Sequence, residues 1–173
     1  DSVSAGVVTK TLEKLHTFLT DDTARQEVLR KGPGEDVFLA LWALAHDDAR
    51  SAVEPARLVL EDRGLERRYA AVELLSRLQH PAAAPVLRKA VEDEDLRIAL
   101  TAFRALPDFV DEDEGEAYAA VSEPIEKQFA LAEKLLARMP EKTPTLKPLV
   151  WPWAEVNADP RDVADRLLDT LGK

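Results

Sequence analysis

The chain has 173 residues, 46% hydrophobic and 32% charged, with a formal net charge of −10. It is long enough to bury a continuous core, as one domain or a short array, and too apolar to be disordered. The acidity disfavours sequence-independent binding to phosphate backbones or an anionic membrane surface and reads first as a solubility device, and the absence of cysteine excludes disulfides, thiolate metal sites and thiol nucleophiles.

Aromatic residues make up only 6%, so the core must be mostly Ala, Leu and Val, which suits close-packed helices. Leu12, Leu15, Phe18 and Leu19 recur on one face and predict a first helix. Asp21 and Asp22 offer caps for a short helix running to Lys31, and Gly32-Pro33-Gly34 breaks it. Residues 36–46 are apolar all round, which predicts an inner helix covered on both sides, with Trp42 in the core. A longer helix is predicted over 49–63, with Val53, Ala56, Val59 and Leu60 inward. Pro55 sits in its early turns or kinks it, and Gly64 ends it.

The next helix is predicted over 65–78, with Glu73 and Arg77 as a favourably oriented pair on its outer face. His80-Pro81 marks a turn into a partner helix over 82–92. There Val86, Leu87, Ala90 and Val91 point inward and Arg88, Lys89 and Glu92 outward. Asp93 is the predicted cap of a helix over 96–106, which Pro107 stops. An acidic loop follows over 108–116, containing Asp111, Glu112, Asp113 and Glu114, and then a short helix over 117–121. A long helix over 124–138 carries the stripe Ile125, Phe129, Ala132, Leu135 and Leu136. Pro140, Pro144, Pro148 and Pro152 recur every four residues, whereas a polyproline ligand repeats every three, so 140–159 reads as an extended strap. Asp159-Pro160 starts a terminal helix over 160–173.

Two stretches of the chain can be laid over each other. At a spacing of 28 residues, Ala71 falls on Ala99, Val72 on Leu100, Leu75 on Phe103 and Leu78 on Leu106. Upstream, Leu41 and Leu44 fit Leu75 and Leu78 at a spacing of 34. Arg68, Ala70-Ala71, Leu75, Leu78, Pro81, Ala84, Leu87, Ala90-Val91, Asp93, Asp95, Arg97, Ala99, Ala102 and Leu106 form the pattern. It resembles the short HEAT-type repeats of phycobilisome lyase-like proteins. The resemblance covers one full unit and half of another, and residues 1–35 and 108–173 do not match it. It implies an all-α fold: an α-solenoid of antiparallel helix pairs, with the strap and the C-terminal helix appended. The chain then divides into a repeat domain over 1–139, clearest over 36–106, the strap, and the terminal helix.

HEAT-like arrays mostly act as protein-binding scaffolds, and the expected function is a scaffold or an interaction domain excised from a larger protein. The chain begins at Asp1 rather than Met, as a processed or excised piece would. In such arrays the second helices line the concave side, which nominates Glu54, Arg57, Glu61, Arg88, Lys89 and Glu92 as partner-binding residues. The acidic loop and the strap residues Trp151 and Trp153 are the next candidates. A bilin lyase-like enzyme or small-ligand binder using the concave groove is the alternative. A nucleic-acid binder is a second one, disfavoured by the net charge.

No motif carries a nucleophile, a phosphate loop or a dinucleotide site, so no catalytic, cofactor or metal residue is assigned. His16, His46 and His80 are read as turn-forming or helix-terminal residues rather than ligands, and placing Gly115 at the glycine of a calcium loop puts Val110 at its first ligand. No apolar run approaches the roughly 20 residues of a membrane span and no leader is visible, which points to a cytoplasmic protein without cofactor. Partner identity and oligomeric state stay open.

Overall fold

The computed structural model describes residues 2–106 and 125–138. Among them every regular element is helical. The α-helices are α1 (Ser2–Thr20), α2 (Asp22–Lys31), α3 (Gly34–Asp47), α4 (Val53–Leu60), α5 (Leu65–Leu78), α6 (Ala84–Ala90), α7 (Leu96–Ala105) and α8 (Ile125–Arg138). Short 3₁₀ turns, Ala49–Ala52 and Pro81–Ala83, lead into α4 and α6.

Local chemistry explains most of the ends. The Asp21 carboxylate accepts from the Ala24 N–H at 3.0 Å and starts α2, whose last turn carries Arg30 and Lys31. His80 Nδ1 accepts from the Ala82 N–H at 3.2 Å and starts the Pro81–Ala83 turn. Asp95, not Asp93, caps α7, accepting from the Arg97 N–H at 2.9 Å. Asp93 takes the Asp95 N–H at 2.8 Å instead.

The helix predicted over 49–63 is shorter and split. Asp48 accepts from the Arg50 N–H at 3.1 Å and the Ser51 hydroxyl at 3.0 Å, which sets the 3₁₀ turn before α4. Asp62 accepts from the Gly64 N–H at 2.8 Å beyond the end of α4. Gly64 therefore sits at the start of α5 rather than ending the helix before it.

The helices contact one another in an alternating order. α1 packs on α3, α3 on α5, α5 on α7, and α7 on α8; α2 packs on α4, and α4 on α6. Contacts between the two sets, such as α4 with α5 and α6 with α7, join them. Buried positions recur along the first set. Val37, Ala71 and Ala99 are all fully buried, as are Ala40 and Ala102, with Leu74 at 1% exposure. Small residues at these places let the backbones come close. Gly34 acts likewise: a Cβ there would lie 2.6 Å from the Glu66 carbonyl oxygen, so α3 starts against the first turn of α5 only because Gly34 has no side chain.

Arginines tie the turns. Arg67 donates from Nη2 to the Leu29 carbonyl at 2.6 Å and also reaches the carbonyls of Val28 and Gly32, while its Nε bonds Asp62 at 2.9 Å. Arg25 donates to the Phe18 carbonyl at 2.7 Å near the end of α1. Arg138, at the end of α8, donates to the carbonyls of Val91, Asp93 and Glu94. Each places a cation on carbonyls at or just past a helix C-terminus, where the helix dipole is negative. Arg68 is the most buried of them. It reaches Glu94 at 3.1 Å and the carbonyls of Asp62 and Arg63, and its Nε lies 3.2 Å from Asp93 Oδ2.

Four side chains, Trp42, Leu136, Arg88 and Glu73, face otherwise than the sequence pattern predicts. Trp42 is half-buried rather than core; it stacks on His46 with ring centroids 5.5 Å apart, because the α3 face bearing Trp42, Ala45 and His46 is only partly covered. Leu136 is 66% exposed while Leu135 beside it is buried, so the stripe of α8 is narrower than predicted. Arg88 is half-buried rather than exposed. The expected Glu73–Arg77 pair forms, at 2.8 Å, with Arg77 exposed over the Phe38 ring, but Glu73 is mostly covered rather than on the outer face.

Candidate functional site

α4 is amphipathic over two turns. Val53, Ala56 and Val59 are buried, which turns Glu54, Arg57 and Glu61 outward on the opposite side. The i, i+3 and i, i+4 spacings then bring the three together. Arg57 donates from Nε and Nη2 to both Glu54 oxygens at 2.8 and 2.7 Å, and from Nη1 to Glu61 at 2.7 Å. The Arg57 hydrogen bonds hold Glu54 below its ordinary carboxylate value, and the Glu54 hydrogen bond, with Glu61 behind it, pushes Arg57 up.

α6 lies alongside. Lys89 Nζ is 3.9 Å from Glu61, which links the two helices loosely. Between them runs an open furrow of about 230 Å³ lined by Arg57, Leu60, Glu61, Val86, Lys89, Ala90, Glu92 and Asp93. Its floor is apolar and its rim carries both charges. Glu92 is exposed and makes no ion pair among the described residues. Asp93 is turned inward to Arg68.

A second furrow, of about 400 Å³, flanks α4 on its other side against α2. Leu29, Pro55, Leu58 and Val59 supply its apolar surface, with Gln26, Arg30, Asp62 and Arg67 around it. Leu58 is 54% exposed. Arg67 and Asp62 are fixed there by each other and by backbone groups; the Gly64 N–H, with Arg67, holds the Asp62 carboxyl below its ordinary value. A third furrow lies between the end of α6 and α8, with Glu92 on its edge.

Of the residues nominated from sequence, Arg57, Glu61, Lys89 and Glu92 converge on the α4–α6 furrow, and Glu54 joins through Arg57. Arg88 does not line it. Asp111, Glu112, Asp113 and Glu114, and the strap with Trp151 and Trp153, lie outside the described residues, as does the terminal helix. The α2–α4 furrow went unnoticed in the sequence. Its one signal was Leu58, an apolar residue standing off the inward pattern of Val53, Ala56, Val59 and Leu60.

His46 is engaged with Trp42 and His80 with its own turn. Among the described residues no group of three His, Asp or Glu side chains is placed to hold a metal ion. No helix among them is long and apolar enough to cross a membrane.

Residues 1–172 match the model of a family described as a family of unknown function, DUF5724. The chain belongs to that family. The DUF5724 match takes in the helices, the acidic loop and the Pro-rich segment together. No curated protein and no solved structure matches the chain.

Proposed function

We propose that this DUF5724 chain is a protein-interaction scaffold, or an interaction domain of a larger protein, built as a HEAT-like α-solenoid and working in the cytoplasm. The observation that carries the reading is the open α4–α6 furrow, with an apolar floor and a rim of mixed charge. Protein surfaces use that combination: the floor supplies area and the rim selects the partner. The alternating helix contacts, and the recurrence of buried residues at 37, 71 and 99, support the repeat architecture.

The enzyme reading calls for a closed apolar groove with a buried unpaired carboxylate. The furrow is open, and Glu61 and Glu92 are exposed. The nucleic-acid reading calls for Arg57, Arg88 and Lys89 to converge into a stripe. Arg57 is already neutralised by two carboxylates, and Arg88 lies outside the furrow lining.

The test is site-specific photo-crosslinking of the full chain in cell extract, with the reactive side chain at position 89 and, as control, at position 10 on α1. A discrete protein adduct from 89 that Glu61→Arg removes, and none from 10, is expected. Adducts only from 10, or none from 89, overturn the reading.

A further inference from the structure

The two furrows beside α4 differ in chemistry and lie side by side, and together they define a partner. The α2–α4 furrow offers Leu29, Pro55, Leu58 and Val59, with more than half of the Leu58 surface open. Its charged neighbours leave little for a guest: Arg67 serves the α2 carbonyls and Asp62, and Arg30 is paired with Glu27 at 2.9 Å. An apolar side chain suits it.

The α4–α6 furrow is biased the other way. Glu61, Glu92 and Asp93 line it against Arg57 and Lys89; Asp93 is turned to Arg68, and Glu54 outside the lining takes up Arg57, which leaves the furrow short of cations. Arg57 uses Nε and both Nη atoms on Glu54 and Glu61 and offers a guest anion little. Glu92 has no ion partner among the described residues and stands exposed at the furrow's end. A cationic side chain laid there pairs with Glu92 and shares Glu61; an anionic one meets uncompensated carboxylate.

The furrows lie on the two sides of α4, Pro55, Leu58 and Val59 lining one and Arg57, Leu60 and Glu61 the other, so the width of one helix, about 10 Å, separates them. A polyproline II segment rises about 3.1 Å per residue and returns to the same side every third residue, about 9 Å along. Residues i and i+3 of such a segment therefore reach both furrows at once.

We propose that α2, α4 and α6 form a docking surface for an extended segment of a partner protein, with an aliphatic side chain in the α2–α4 furrow and a Lys or Arg three residues away over Glu92 and Glu61. This deepens the scaffold reading and rests on it.

The experiment is selection of a random linear-peptide phage library on the full chain, followed by titration of a synthetic peptide of the enriched sequence by fluorescence polarisation. Enrichment of an aliphatic residue three positions from a Lys or Arg is expected. Leu58→Asp and Glu92→Lys are each expected to weaken the peptide about tenfold, with circular-dichroism melts unchanged since both sites are exposed. Reselection on Glu92→Lys is expected to replace the basic position with Asp or Glu. Peptides without that spacing, affinity indifferent to both substitutions, or no enrichment overturn the inference. So does a concentration-dependent dimer in sedimentation that Leu58→Asp dissolves, because the occupant is then a second copy. A persistent position-89 adduct in any of these cases leaves the scaffold reading standing; its absence ends both.

Discussion

The helices of the first set, α3, α5 and α7, and those of the second, α4 and α6, come from the same Ala- and Leu-rich composition and differ in what they do with charge. In the first set charge is drawn into the structure. Arg68 is buried against Asp93 and backbone carbonyls, and Asp95 caps α7 while its carboxylate holds both Arg97 Nε and Nη2 at 3.0 and 2.8 Å. On α4 and α6 and just past their ends most charge stays on the rim: Glu54, Glu61, Lys89 and Glu92 are exposed, and Arg57 and Arg88 are half-buried. A charge held by buried partners is strongly coupled to folding, whereas an exposed pair contributes little and is free to serve recognition.

The largest effect is expected at Arg68. Arg68→Ala strands the mostly covered Asp93 carboxylate and should cost about 3 kcal/mol in urea denaturation. A cost no greater than that of Arg57→Ala would erase the contrast between the two sets. Gly34→Ala forces α3 away from the Glu66 carbonyl and is expected to cost about 2 kcal/mol, read from the thermal melt.

Asp95→Ala removes a cap and an ion pair, for a loss of about 1 kcal/mol near neutral pH. It should also change the acid limb of stability. The Arg97 hydrogen bond, with the Arg97 and Ile98 N–H groups, holds the folded Asp95 carboxyl below its ordinary value against an opposing desolvation. Its contribution is thus full above the unfolded value of about 3.9 and is lost as pH falls through the depressed folded value. Denaturation midpoints of the parent should fall more steeply over that window than those of Asp95→Ala.

Gln79 ends α5 with φ at 49°, in the left-handed region. Gln79→Gly relieves that conformation and should raise stability by about 0.5 kcal/mol in the same melts. Smallest of all is Arg57→Ala, expected to leave the melting temperature unchanged within error while weakening partner capture at position 89.

Element type and several boundaries were legible because their causes are local. Asp21 before a short amphipathic run gave α2 its start, and the run over 65–78 matched α5 end to end. The split at Ala49–Ala52 was not legible, since a helical pattern does not show that the Asp48 carboxylate takes both the Arg50 N–H and the Ser51 hydroxyl and so tightens the first turn. Of the candidate site, five of the six α4 and α6 residues come together, and Arg88 does not. Periodicity says which residues share a helical face. It does not say how wide a neighbour covers that face, which is why Trp42 and Leu136 were placed too deep.

By itself the sequence determined the helical character of the described residues, most of their turns, and the outward face of Glu54, Glu61, Lys89 and Glu92, because helical period and capping are properties of neighbouring residues. Only the tertiary structure decided the Gly34–Glu66 approach, the Arg67 and Arg138 bonds to distant carbonyls, and the furrow around Leu58. Each of these joins groups more than 25 residues apart in the chain, and local patterning carries no term for such pairs.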